Sequence, residues 1–243
     1  MTFLSKEITP FVLIFDGRCG STYLIECLDS HPQIRANMET LCALKEKKKS
    51  AQEQLDWIRR FLAPEEGGPY KALGFKTKLR DVLDVGRFSQ ILQELSVRII
   101  HLQRRNLVKS TVSYFNSVRL RDKTGDWNLY DSEHQPTALT LEVHKFDTWL
   151  KRIESRLNEE EEFLDRLRLP TLTLYYEDFL KDSPGLFNRT FAFLGVRDLP
   201  VQGKALKATS DNLRHAIANF DELRSYYSST PYGPMFDEIL IPD

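Results

Sequence analysis

A glycine-containing turn in residues 15–32, FDGRCGSTYLIECLDSHP, carries the first side chains that could do chemistry. The turn follows an apolar run and precedes a helical pattern. Arg18, the hydroxyl groups of Ser21 and Thr22 and the first backbone N–H groups of the helix would therefore surround one anion. A P-loop would read G-x-x-x-x-G-K-[ST], with a hydroxyl that holds Mg²⁺. That lysine and spacing are missing, so the pattern favours a phosphate or sulfate site, with a plain strand-to-helix turn as the alternative.

A second basic stretch occurs in residues 99–115, IIHLQRRNLVKSTVSYF. It also passes from an apolar run into a helical pattern, with Arg104 and Arg105 at the junction and Ser113 two turns into the helix. Ligands of open α/β sheets bind outside the carboxyl ends of the strands. Two anion sites at this edge indicate a ligand with phosphates at both ends. The alternative is a solvated basic cluster, which explains Arg104 better than Arg105.

The elements that must position these residues alternate along the chain. Short apolar runs predict strands at 11–15, 71–75, 97–102 and 171–176, and amphipathic patterns predict helices at 21–29, 50–62, 86–95, 106–121, 139–168 and 184–194. This β-α-β-α order predicts an α/β fold, in which helices cover both faces of a doubly wound parallel sheet in three layers.

Composition limits the number of domains and the class of partner. The 243 residues fit a single domain, which we divide into a core at 11–196 and a closing segment at 197–243. Lys and Arg total 34 against 35 Asp and Glu, a net charge of −1. Nucleic-acid binders usually carry a basic surplus, so we expect no nucleic-acid partner and a local anion site.

The cysteines and the apolar runs bear on location. Cys19, Cys27 and Cys42 are odd in number and lack C-x-x-C spacing, which is typical of reduced thiols and indicates no zinc site. The N-terminal MTFLSKEITPFVLIF lacks a secretory pattern, and no apolar run is long enough to span a bilayer. We expect a cytoplasmic protein.

Three further segments carry predictions about the surface. Residues 122–138, with Trp127 and Tyr130, have loop composition and are either a binding lid or a mobile insertion. The proline-rich residues 229–243 should wrap the surface. The acidic run at 159–162 should face solvent.

Several motifs together resemble the sulfotransferases that use 3′-phosphoadenosine 5′-phosphosulfate (PAPS). GRCGSTYL at 17–24 looks like the family's 5′-phosphosulfate loop, RNLVKSTVS at 105–113 is similar to its 3′-phosphate motif, and LYYEDFLKDSPGLFNRTFAFLGV at 174–196 resembles the strand end and helix that follow. The motifs keep the family's order and cover most of residues 11–196. The resemblance implies a fold like that of the P-loop nucleotide hydrolases, with PAPS as co-substrate and no metal.

The resemblance also implies site residues. Tyr23 stands where an aromatic ring often stacks on adenine, and Arg105 and Ser113 have the spacing of the 3′-phosphate pair. The family's closing segment often supplies basic residues over the 3′-phosphate. The implied donor-binding set is Arg18, Cys19, Gly20, Ser21, Thr22, Tyr23, Arg105, Ser113, Tyr176, Lys204 and Lys207.

The general base is the least direct assignment. Sulfuryl transfer needs cations at the leaving oxygen, which Arg18, the helix N-terminus and Lys76 can supply, and a base at the acceptor. One branch of the family has a histidine where this chain has Lys78, and a solvated lysine is a poor base. Branches that act on carbohydrates carry a glutamate in a stretch like SHPQIRANMET, which places Glu39 as the base. Capping or ion pairing in a loop is the alternative role for Glu39.

These inferences predict a sulfotransferase that acts on a hydroxyl of a small-molecule, carbohydrate or glycolipid acceptor. A nucleotide kinase is the first alternative, because LTLYYED at 172–178 could be a Walker B strand, but the Walker lysine is missing. A non-catalytic nucleotide-binding module is the second. The presence of Arg18, Glu39, Arg105 and Ser113 favours the enzyme.

Overall fold

A five-stranded parallel sheet organises the part of the chain that the computed structural model describes, residues 8–63 and 69–240. The spatial order is β2-β3-β1-β4-β5, so the chain winds outward from β1 in both directions. The strands are β1 Thr9–Ile14, β2 Ile34–Asn37, β3 Ala72–Thr77, β4 Arg98–Gln103 and β5 Thr171–Tyr175.

The central strand β1 shows why both faces of the sheet must be covered. Phe11 and Leu13 belong to one apolar cluster, and Val12 and Ile14 belong to another. Successive side chains of a strand point to opposite faces, so each face has its own core. Helices over both faces produce the three layers that the sequence predicts, and the α/β fold class is confirmed.

The predicted helices are present with shifted ends, and shorter helices join them. The helices are α1 Ser21–Asp29, α2 Thr40–Glu46, α3 Ala51–Phe61, α4 Val85–Glu94, α5 Leu107–Thr124, α6 Val143–Leu167, α7 Tyr176–Lys181, α8 Ser183–Leu194, α9 Leu213–Ala216, α10 Phe220–Tyr226 and α11 Gly233–Asp237. Asn106 caps α5 by accepting from the Lys109 backbone N–H, so that helix begins directly after the end of β4.

The sequence prediction missed β2 and α2. The four residues of β2 pair only with β3 at the edge of the sheet, and only the first of them is buried, so the apolar signal of the strand is weak. Strand β2 and helix α2 matter for the site because Glu39 lies between the end of β2 and the first residue of α2. The carboxyl end of an edge strand therefore positions Glu39.

Two predictions concern the surface. Residues 229–240 lie mostly at the surface, and α11 anchors them through Phe236, which is 2% exposed within an apolar cluster; residues 241–243 lie outside the described part. The acidic run at 159–162 does not face solvent throughout. Glu160 is 3% exposed and lies 3.4 Å from Nε2 of the buried His101, which offsets the cost of burying that carboxyl.

Within the described ranges, no helix combines the length and the apolar character that crossing a membrane would require.

Candidate active site

The turn after β1 has a backbone that favours glycine. Gly17 and Gly20 have φ values of 136° and 83°, and Arg18 between them has φ 57°. A Cβ on Gly20 would lie 2.9 Å from Cδ2 of Tyr176, so this glycine is also required by close packing. The turn directs the start of α1, whose first backbone N–H groups have no partner within the helix, toward the sheet edge.

Arg18 joins the two predicted anion motifs. Its Nε donates to Oγ of Ser113 at 3.2 Å, and its Nη1 donates to the carbonyl of Trp127 at 3.1 Å. Burial, together with the nearby charge of Arg104, lowers the pKa of the guanidinium to about 10. The structure therefore brings the turn, helix α5 and the loop after it together around one cation.

The two arginines after β4 differ from the prediction. Arg104 was the better candidate for a solvated cluster, yet it is 7% exposed and its guanidinium lies 4.5 Å from the ring centre of Tyr176. Arg105 is exposed, pairs with Asp178 at 3.1 Å and stacks on Tyr175 at 3.7 Å. Among the described contacts, none joins Arg105 to Ser113. The structure thus places Arg104 and Ser113 beside Arg18, and Arg105 outside that group.

The predicted base and the predicted cation of β3 lie side by side. Nζ of Lys76 is 3.3 Å from Oε1 of Glu39 and donates to Oγ1 of Thr22 at 2.8 Å. Lys78 donates to the other carboxylate oxygen of Glu39. Both lysines favour the ionised form of the carboxylate. Ion pairing was the alternative role of Glu39; the structure shows the pair at the sheet edge, beside the helix start that holds Thr22.

Burial changes the protonation of several groups here. It lowers the pKa of Lys76 to about 8, and it lowers that of Lys78 to about 8 as well. The charge of Glu26 opposes the pKa shift of Lys76, and the charge of Asp81 opposes that of Lys78. Burial also raises the pKa of the Cys19 thiol to about 12. Cys19 is therefore an unreactive thiol that can contribute only its backbone to the turn.

A second cationic position lies beside the base. Ligand atoms of Glu39, Cys42 and Asp81 come within 4.8 Å of one another, which is the spacing of a small metal site. The ammonium group of Lys78 already contacts Glu39 and lies 3.9 Å from Oδ2 of Asp81. A lysine therefore supplies positive charge to these two carboxylates.

Tyr23 of α1 and the two predicted lysines of the closing segment have other partners. The ring of Tyr23 packs edge-on against Phe179 at 6.1 Å, and a Cβ on Gly203 would be 2.6 Å from it. Lys204 contacts α1 through its backbone N–H, and Lys207 lies 3.8 Å from Asp211. In this structure their side chains do not converge on Arg18.

Two segments cover the site from outside. Leu206 donates its backbone N–H to the carbonyl of Leu129, so the closing segment pairs with the loop that contacts Arg18. Glu26 of α1 holds both segments, because it accepts from the backbone N–H of Lys204 and from the hydroxyl of Tyr130. The exposed aromatic rings predicted at Trp127 and Tyr130 are confirmed at 44% and 47% exposure. The loop is ordered against the site.

A cavity of about 270 Å³ lies beside the segments that follow β1 and β3 and was not predicted. Asp16, directly after β1 and its apolar extension, is buried there and pairs with Arg80 and Arg156. Desolvation by burial raises the pKa of Asp16 against the pull of these arginines. An isolated Asp in a turn and an Arg within a long helix give no local pattern, so the sequence offers no signal for this pairing. The cavity is lined by these side chains and by Leu79, Val82, Val85, Glu159 and Glu160.

Comparisons with known proteins find relatives that align with nearly the whole chain. No family model matches the chain. Nodulation protein H of Rhizobium tropici is 22% identical, with 94% of this chain and 93% of that protein covered. Nodulation protein H of Rhizobium meliloti strain 1021 is 23% identical over 98% of each chain. A solved sulfotransferase from Alicyclobacillus acidocaldarius has a TM-score of 0.54 at 16% identity and covers 96% of each chain.

The structural likeness shows that this chain has the sulfotransferase fold. Together with the full-length sequence likenesses, it confirms the family resemblance that the motifs predict. The chain thus shares its fold with a solved sulfotransferase and resembles nodulation protein H over nearly its whole length.

Proposed function

We propose that this protein transfers the sulfuryl group of PAPS to a hydroxyl group of a carbohydrate, lipid or other small acceptor. The observation that carries the proposal is the placement of Lys76 between Thr22 and Glu39. It brings the start of the predicted anion-binding helix and a carboxylate into contact with one cation of the sheet edge. Sulfuryl transfer needs those three elements together.

The uncompensated charge of the turn fits an anionic donor. Arg18 donates to a hydroxyl, a carbonyl and an amide oxygen, and in the described ranges it has no carboxylate partner. A phosphate or sulfate group at the N-terminus of α1 would supply the missing negative charge. Ser21, Thr22 and the backbone of Cys19 and Gly20 would complete the cradle for the 5′ end. PAPS supplies the sulfuryl group when it is bound there.

The reaction forms one sulfur–oxygen bond and breaks another. The acceptor oxygen attacks sulfur, the bond from sulfur to the bridging oxygen breaks, and 3′-phosphoadenosine 5′-phosphate (PAP) leaves with that electron pair. We assign the acceptor proton to Glu39, because its carboxylate is ionised between two lysines. Arg18 and Lys76 stabilise the charge on the leaving oxygen. No step requires a metal ion, because cationic side chains surround the turn.

The cavity beside β1 is where we place the acceptor. Arg80 lines it, and the next residue, Asp81, lies 3.9 Å from Lys78, which contacts the base. The cavity is lined by three carboxylates, of which Asp16 and Glu160 are buried, by two arginines and by leucine and valine side chains that form an apolar side. Several hydrogen-bonding groups beside an apolar side suit a molecule that has several hydroxyl groups, such as a sugar. The cytoplasmic location and the single-domain organisation stay predictions.

Nucleotide binding and turnover together test the function. With PAP at a hundredfold excess over its dissociation constant, the folded state should gain about 2.7 kcal/mol without metal, while ATP with Mg²⁺ should stabilise less. Incubation with ³⁵S-labelled PAPS and a panel of oligosaccharides should release PAP and label a product. The kinase alternative replaces the proposal if melting curves rank ATP with Mg²⁺ above PAP. PAP binding without turnover on any acceptor class would favour the non-catalytic module.

A further inference from the structure

Arg104 lies under the anion-binding turn and acts on it directly. Its Nη1 donates to the backbone carbonyl of Arg18 at 3.3 Å. Its guanidinium covers the ring of Tyr176, and that ring is the surface against which Gly20 packs. Arg104 therefore touches both the first and the last part of the turn, one directly and the other through the tyrosine.

The charge of Arg104 is not neutralised by the protein. Its Nε is buried and has no hydrogen-bond partner, and no ion pair joins Arg104 to a carboxylate within residues 8–63 and 69–240. Arg18, the nearest cation, has no carboxylate partner there either. Two neighbouring cations without a counter-charge are costly in a partly buried place. A site of this kind is complementary to an anion that carries more than one negative charge.

The neighbouring Arg105 shows the opposite arrangement. It is exposed, and it pairs with the carboxylate of Asp178, which also lies 3.4 Å from Arg189. The sequence resemblance assigns the phosphate contact to Arg105, whereas burial and charge single out Arg104. The two residues differ by one position at the end of a strand, so their side chains leave on opposite sides of it.

We propose that Arg104 is a positioning residue of the donor site, which holds the turn by the Arg18 carbonyl and provides the second cation for the 5′ phosphate of the nucleotide. The inference rests on the proposed function, since it assumes that a PAPS-type nucleotide binds at this turn. It adds a residue that the family motifs do not contain.

Arg98, at the other end of β4, provides a matched control. Its guanidinium also covers an aromatic ring, that of Phe193 at 5.8 Å, and it also donates to a backbone carbonyl. It lies at the amino end of the sheet, far along the strand from the turn. Replacement of Arg98 removes the same kinds of contact without touching the donor site.

The experiment measures dissociation constants by calorimetry for PAP and for adenosine 3′-monophosphate, which lacks the 5′ phosphate. Arg104→Met should weaken PAP binding about tenfold or more, as expected for a lost charge-assisted contact, and should change adenosine 3′-monophosphate binding much less. Arg104→Gln can still donate to the Arg18 carbonyl but has no charge, so it should also lose PAP affinity, and Arg104→Lys should retain more. Arg98→Met should bind PAP within about twofold of the wild type.

The outcomes separate the role of Arg104 from the proposed function of the protein. Folded Arg104→Gln protein with wild-type PAP affinity overturns the role of Arg104 and leaves the proposed function standing. Equal losses for both nucleotides also overturn it, because the effect would not be specific to the 5′ end. Wild-type protein that binds no PAP overturns the proposed function and this inference together. If Arg104→Met does not fold, the Gln and Lys variants carry the same comparison.

Discussion

Nε of Arg18 donates to Oγ of Ser113 at 3.2 Å, although 95 positions separate the two residues in the chain. The contact joins the turn after β1 to the helix after β4, and those strands are neighbours in the sheet. Both segments leave the carboxyl ends of parallel strands, where α/β proteins bind their ligands. The two anion motifs of the sequence are therefore parts of one site.

Glu39→Gln tests the general base. The substitution keeps the size of the side chain and removes the proton acceptor, so turnover should fall by about 10²–10⁴ while the PAP dissociation constant changes little. The acidic limb of the pH–rate profile should disappear in the variant. Steady-state kinetics and calorimetry measure the two quantities. Glu46→Gln, an exposed glutamate at the end of α2, is the control. Wild-type turnover in Glu39→Gln, with activity abolished in Lys78→Met, would show that Glu39 is not the base and would favour Lys78, directly after β3.

The rate should fall as the pH rises through about 8, because burial lowers the pKa of Lys76 to about 8 and its ammonium group is lost there. The stability of the fold should instead increase with pH. Between about pH 8 and the ordinary lysine pKa of 10.5, the unfolded chain binds more protons than the folded chain, so the free energy of unfolding rises as the pH rises. Parallel pH series of turnover and melting temperature separate the two effects.

Lys78→Met identifies which lysine sets that basic limb, since the pKa of Lys78 is also lowered to about 8. We expect the limb to persist in this variant, because Lys76 is the lysine that contacts both Thr22 and Glu39. Loss of the limb would assign it to Lys78 instead.

Arg105 and Asp178 form a pair whose replacement should have opposite effects. If Arg105 binds the 3′ phosphate, Arg105→Ala should weaken PAP much more than adenosine 5′-monophosphate. Asp178→Asn should strengthen PAP binding, because the carboxylate of Asp178, shared with Arg189, pairs with Arg105 in the free protein. Calorimetry with both nucleotides gives the comparison. Unchanged selectivity in both variants would remove Arg105 from the donor site.

Val85→Trp tests the location of the acceptor. Val85 lines the cavity beside β1 and is 38% exposed, so an indole ring can project into the opening without entering the core. The acceptor KM should rise about tenfold, with the PAP dissociation constant unchanged. Leu83→Trp is the matched control, because Leu83 is exposed nearby and does not line the cavity. Equal KM values for both variants would place the acceptor elsewhere, for instance at the second cavity, of about 380 Å³, beside α1.

The local pattern of the chain was enough to predict the fold class and most of its elements. The apolar runs of β1, β3, β4 and β5 and the glycine-bracketed turn are contiguous signals, and the spacing of a motif does not depend on tertiary contacts. The carboxyl ends of parallel strands lie at the same edge of the sheet. The α/β topology therefore predicted that the turn after β1 and the helix after β4 would meet at that edge.

Only the tertiary structure decided which charges are compensated. The sequence alone does not distinguish Arg104 from Arg105. In the structure Arg104 is buried without a carboxylate partner among the described residues, whereas Arg105 pairs with Asp178. The same holds for Asp16, which meets Arg156 from a distant helix. Burial and ion pairing depend on segments far apart in the chain, and these control desolvation and Coulomb energy. The residue types alone therefore predict an anion site, and packing determines which cations are available to it.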